Sequence, residues 1–139
     1  MRFSIPAAAL ATLAVAHSAS AIITSMSASK TPVKAGDSVA VTFNCTGSLT
    51  NNEQDYAIFG LTTPDRTPPV GKTIGSQAIA RQDISSYPKN NYRTPFTIEV
   101  PIPESAKSGE ALLTTAIFGQ IGASGGITVQ YFNSTINVA

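Results

Sequence analysis

Between Thr94 and Gln120 the chain reads TPFTIEVPIPESAKSGEALLTTAIFGQ, and no other stretch limits its fold so strongly. Phe96, Ile98 and Val100 alternate with Thr97 and Glu99, the period-two pattern of a strand with one buried face. Pro101 and Pro103 end that strand, because neither ring nitrogen can donate to a ladder. The polar ESAKSGE that follows is a corner, with Gly109 supplying a tight bend. Ala111 to Phe118 is apolar at both parities, the pattern of a central strand covered on both sides. A half-buried strand that turns a corner into a fully buried one points to two packed sheets.

The rest of the chain supplies further strands. Ile22 to Ala28 is a weak first strand, and TPVKAGD (Thr31 to Asp37) is a turn in which Pro32 sets φ and Gly36 allows the bend. From Ser38 to Cys45, Val39, Val41, Phe43 and Cys45 share one face, while Ala40, Thr42 and Asn44 share the other. Gln54 to Thr62 is apolar at both parities and therefore central. Pro64, Pro68 and Pro69 exclude regular structure between Thr63 and Gly71. Lys72 to Ala80 reads as a weaker strand near a sheet edge, with Gly75 marking a bulge or a close approach. Arg81 to Arg93 is a polar loop carrying Tyr87 and Tyr92. Gly119 to Gly126 is a flexible hairpin connection, and Ile127 to Val138 is the last strand. There, Ile127, Val129 and Tyr131 share one parity and Phe132, Ile136 and Val138 the other. That requires either partial cover on both faces or a bulge near Tyr131 to Asn133. The expected fold is all-β: an immunoglobulin-like antiparallel sandwich of two sheets and about seven strands.

A secretory leader precedes this domain. Arg2 is a positive start, Ile5 to Ala16 is a short apolar run, and Ala19-Ser20-Ala21 is a small-x-small cleavage site. The run is too short to span a bilayer. The expected organisation is a signal peptide over residues 1–21 and one domain over residues 22–139. The C-terminal Thr135 to Ala139 has no hydrophobic tail, so no lipid-anchor signal and no membrane span are expected.

Removing the leader empties the chemical inventory. The sole histidine, His17, departs with it, and losing Arg2 leaves cations and anions even. A neutral domain has no electrostatic footprint for nucleic acid or anionic membrane. Without histidine a Ser-His-Asp triad cannot be assembled, and zinc or copper has no ligand set. A secreted copper monooxygenase needs histidine as its first mature residue, where Ile22 stands. No calcium-loop spacing occurs, and the Gly119 to Gly126 run lacks the Lys-Ser/Thr of a phosphate loop. No cofactor, no metal and no enzymatic activity are expected. The one cysteine, Cys45, forbids an intrachain disulfide. Its place on the apolar face suits a buried, inert thiol, the alternatives being a nucleophile or an intermolecular disulfide.

Two sequons remain, Asn44-Cys45-Thr46 and Asn133-Ser134-Thr135. Both Asn44 and Asn133 are expected glycan acceptors in a secreted eukaryotic chain, and strand parity places Asn44 on the exposed face.

Several segments, taken in order, resemble the necrosis-inducing secreted protein family of filamentous fungi. They are Pro32 to Asp37; Ala57-Ile58-Phe59-Gly60; Val100-Pro101 followed by Ala106 and Gly109; Ala116-Ile117-Phe118-Gly119; Gly122-Ala123; and Asn133-Ser134-Thr135. The resemblance spans Thr31 to Val138. It implies a secreted virulence factor that acts in host plant cytoplasm after uptake, binds and inhibits immune receptor-associated kinases, and provokes cell death at high level. The chain departs from the family pattern before the last strand, where Gln120, Ile121 and Ser124 stand in place of tyrosines. The expected partner-binding residues are Gly119, Gln120, Ile121, Gly122, Ser124 and Tyr131, because an edge strand and its turn offer unpaired backbone to a partner. The protein is expected to be a monomer.

Two other readings compete. A carbohydrate-binding or cell-wall module fits the sandwich and the Tyr87 and Tyr92 loop, although no tryptophan is present. A two-acid hydrolase would draw on Asp83, Glu99, Glu104 and Glu110.

Overall fold

The computed structural model describes residues 20–48, 52–64, 74–75, 77–85 and 95–139. Seven strands appear there: β1 (Ser20–Ala28), β2 (Ser38–Ser48), β3 (Asn52–Thr62), β4 (Gln77–Asp83), β5 (Phe96–Pro101), β6 (Gly109–Ile121) and β7 (Gly126–Val138). They form two antiparallel sheets, one ordered β1-β2-β5 and the other β4-β3-β6-β7. The chain crosses from the first sheet to the second at the corner between β5 and β6, where alternation gives way to a fully apolar run. β3 and β6 are the central strands of the larger sheet and β4 is its edge. A constant-type immunoglobulin domain pairs its fourth strand in the first sheet. Here β4 returns beside its predecessor β3, with Tyr56 opposite Asp83.

The core lies between the sheets. Val39, Val41 and Phe43 of β2 and Ile98 and Val100 of β5 face Ala57, Phe59 and Leu61 of β3 and Leu113 and Ile117 of β6. Phe43 links three strands: its ring centroid lies 6.2 Å from Phe59 and 5.3 Å from Phe96. Gly36, at φ 91°, turns the chain into β2, and its N–H donates to Ile102 O at 2.9 Å. Ile102 N–H donates in turn to Asp37 O at 2.8 Å, tying the end of β5 to that turn.

Three register shifts break strict alternation, one of them in the β3–β4 pair between Phe59 and Gly60. In β1 the register shifts between Ile23 and Ser25, so Ile23 and Met26 both point inward although they lie at opposite parities. This is why the first strand looks weak in sequence. In β3 the register shifts between Gln54 and Tyr56, which turns Gln54 into the interior.

Four expectations need adjusting. The Gly119 to Gly126 connection is shorter than expected, because pairing carries β6 through Ile121 and β7 starts at Gly126. β4 runs from Gln77 to Asp83 rather than from Lys72, because pairing with β3 carries it through Arg81 into the expected loop. Pro101 is the last residue of β5 rather than its stop, since it occupies the final register position opposite Ser38. β7 has no bulge: its register with β6 is unbroken from Gly126 to Val138. The mixed parity arises because its two halves are covered differently. Ile136 and Val138 face the core, whereas Ile127, Val129 and Tyr131 face outward. The expected leader over residues 1–21 lies outside the described residues except for Ser20 and Ala21, which open β1. Among the described residues no helix is long and apolar enough to cross a membrane.

Candidate functional site

The outer face of the four-stranded sheet carries the feature that packing alone does not explain. Cross-strand partners lie on one face, with Cβ atoms about 5 Å apart. Tyr56 of β3 opposes Phe118 of β6, which opposes Val129 of β7. The next row is Ile58, Ala116 and Tyr131. Gln120 opposes Ile127 beyond them, whereas Ile121, which ends β6, has the inward parity of Ile117 and Gly119 and is exposed only at the strand end. The exposed large apolar residues among the described ones are Tyr56, Phe118, Ile121, Ile127, Val129 and Tyr131, all on this sheet and at this end. Ile127 is 87% exposed. A contiguous exposed apolar patch of this kind marks an interaction surface. Arg81 and Asp83 of β4 border it opposite Ile58 and Tyr56.

The other end of the same face is covered. A Cβ placed on Gly60 would lie 1.4 Å from Ile74 O, so the backbone of Ile74 lies against the sheet there. Thr62 and Thr114 are buried beside it, and neither hydroxyl has a hydrogen-bond partner among the described residues. Among the described residues, Tyr56, Phe118 and Tyr131 at the aromatic end remain exposed.

The edge of β1 and the far half of β7 are closed by polar contacts. Ile23 N–H donates to Gln54 Oε1 at 2.9 Å, Gln54 Nε2 donates to Gln130 Oε1, and Gln130 Nε2 donates to Ile23 O at 3.3 Å. Ala28 N–H donates to Ser134 Oγ at 3.0 Å. Val33 forms a parallel bridge with Val138, and Lys30 Nζ reaches Thr135 O at 3.4 Å. These groups hold β7 at Gln130 and from Ser134 onward, while the outward side chains of Ile127, Val129 and Tyr131 remain on the exposed face.

Of the residues expected to bind a partner, Gln120, Ile121 and Tyr131 belong to this exposed end. Gly122 and Ser124 lie in the β6–β7 turn beside it. Gly119 faces the interior: a Cβ there would lie 2.1 Å from Glu53 O. Tyr56, Phe118, Ile127 and Val129 were missed. For Val129 parity carries the signal, since it shares a face with Ile127 and Tyr131, whereas Phe118 lies in a run apolar at both parities. Tyr56 was read as a central-strand residue covered on both faces, and only the packing shows one face bare.

The sequons fall on opposite sheets. Asn44 lies on the outer face of β2, where its Nδ2 donates to Ser25 Oγ at 2.9 Å. Asn133 is exposed on the outer face of β7 opposite Thr114. Cys45 is half-buried against the core, and burial pushes its thiol pKa above 9.0.

The acids considered for hydrolysis are dispersed. Asp83 lies on the outer face of the larger sheet, Glu99 on the outer face of the smaller one opposite Ala40, Glu104 in the corner, and Glu110 at the start of β6 opposite Asn137. Two shallow clefts, of about 360 and 330 Å³, lie beside Val33 and beside Pro64. The Tyr87 and Tyr92 loop and His17 lie outside the described residues. No curated protein matches the chain. A family model, that of the Nis1 family, matches residues 19–137.

Proposed function

This chain belongs to the Nis1 family, and from that premise we propose that it is a secreted fungal effector that docks on immune receptor-associated kinases of a host plant and inhibits them. The observation that carries the docking surface is the gathering of five exposed large apolar side chains, Tyr56, Phe118, Ile127, Val129 and Tyr131, on one face at one end of one sheet. Tyrosine and phenylalanine are the side chains that anchor protein interfaces, and the polar margin at Arg81, Asp83 and Gln120 supplies the rim. The even charge of the mature chain leaves hydrophobic contact rather than electrostatic steering as the source of affinity.

The test is a pull-down of residues 22–139 against cytoplasmic domains of receptor-associated kinases, with autophosphorylation as the readout. Binding with reduced phosphorylation is expected. Failure to bind any of several kinases, together with an undiminished elicitor-triggered oxidative burst in leaf tissue, would remove the reading.

A second reading has one observation in its favour. Tyr56, Phe118 and Tyr131 stand on a flat sheet face, the kind of platform on which sugar rings stack. Co-sedimentation with chitin, β-glucan or cellulose would support a wall-binding module, and its absence would discard it.

A further inference from the structure

We infer that Asn133 carries an N-linked glycan and that this glycan masks the aromatic end of the four-stranded sheet. The inference rests on the docking surface proposed above and assigns its regulation. Asn133 and Tyr131 lie two residues apart on an unbroken strand, so their side chains leave the same face about 7 Å apart. Both are exposed. Asn133 occupies the β7 position beside the row of Ile58, Ala116 and Tyr131. Its amide has no hydrogen-bond partner among the described residues, whereas Asn44 Nδ2 is held by Ser25. A sugar on Asn133 Nδ2 therefore emerges at the margin of the patch, with the Tyr131 ring as its nearest apolar surface. Sugar rings present C–H faces that pack on aromatic rings, so the first residues of the glycan lie along Tyr131 toward Val129.

The transfer takes place during secretion. Asn133 Nδ2 bonds to the anomeric carbon of a lipid diphosphate-linked oligosaccharide. The bond from that carbon to the diphosphate oxygen breaks, the lipid diphosphate leaves with the electron pair, and the amide proton passes to a base.

Asn44 projects from the other sheet, so a glycan there leaves the patch open. Occupancy of the two sequons thus has opposite consequences. The secreted form is shielded at its apolar end, and the form competent to dock lacks the Asn133 glycan.

The experiment uses the full chain secreted from a fungal host as wild type, Asn44→Gln, Asn133→Gln and Thr135→Val. The last variant removes the second sequon while leaving Asn133 in place, which separates loss of the glycan from loss of the side chain. Glycopeptide mapping reads occupancy, and fluorescence of an apolar dye reads exposure of the patch. A glycan on Asn133 is expected, with dye fluorescence rising severalfold in both Asn133→Gln and Thr135→Val and unchanged in Asn44→Gln. An unmodified Asn133 in the secreted wild type would overturn the inference, as would equal dye binding with and without the glycan. Binding to a kinase domain is then measured on both forms. Tighter binding without the glycan supports masking. Equal binding by both forms overturns the gating role, and binding by neither, with the dye result intact, removes the kinase reading while the masking stands.

Discussion

Gly119 shows how one residue limits the sheet. Its backbone passes so close to β3 that a Cβ would meet Glu53 O at 2.1 Å, and a carbonyl in a paired strand cannot move aside. Gly119→Ala is therefore expected to destabilise the protein by about 1–3 kcal/mol, the usual cost of overpacking. A shift of the denaturation midpoint at constant slope checks this. Cys45 makes a second prediction. Burial raises its thiol pKa above 9.0, so the folded state holds the proton more tightly than the unfolded state. The contribution to stability is complete below the unfolded-state pKa and is lost as pH rises through the folded value. Alkylation by iodoacetamide should be slower in the folded than in the denatured protein at pH 8, with the difference narrowing in more alkaline buffer. Equal rates at pH 8 would show an accessible, unperturbed thiol.

At the scale of elements, the β3 bulge does the most. It turns Gln54 inward, where its amide meets Ile23 N–H and Gln130 and seals the edge of β1 against β7. Gln54→Leu leaves the buried Ile23 N–H without a partner and is expected to cost about 1–3 kcal/mol. Hydrogen exchange at Ile23 should accelerate in that variant. The bulge also explains a limit of pattern reading. A run apolar at both parities located β3 and named it central, yet the face of Gln54 depended on one extra residue opposite Gly119. A bulge leaves no mark in hydrophobic period, because it is a property of the pair and not of either strand. In β7 the reverse holds: the pattern suggested a bulge, and uneven cover of a regular strand produced it.

The whole molecule holds together by packing, with Phe43 bridging the sheets and no disulfide available to its one cysteine. Thermal unfolding of the mature chain should give the same midpoint with and without reductant, since a shift would require an intermolecular bond through Cys45. The same sandwich leaves one sheet end bare. Phe118→Ser and Tyr131→Ser, both on partly exposed outer-face side chains, should change stability by no more than about 1 kcal/mol. If that face docks a kinase, each should weaken binding tenfold or more, about 1.4 kcal/mol. Unchanged affinity in both would place the interface elsewhere.

Alternation and proline punctuation along the chain determined the class of fold, the central strands and the corner between β5 and β6, because each is written in local hydrophobic period. The residue inventory, with one cysteine and no histidine outside residues 1–21, determined which metal and triad chemistries residues 22–139 have no side chains for. Tertiary structure alone decided which side of the larger sheet is bare. Exposure of Tyr56, Phe118 and Tyr131 depends on how far the chain around Ile74 reaches across the sheet, and an apolar residue has the same sequence signature under that cover or beyond it. It also set the two sequons on opposite sheets, a relation that exists only once β2 and β7 are paired into different sheets.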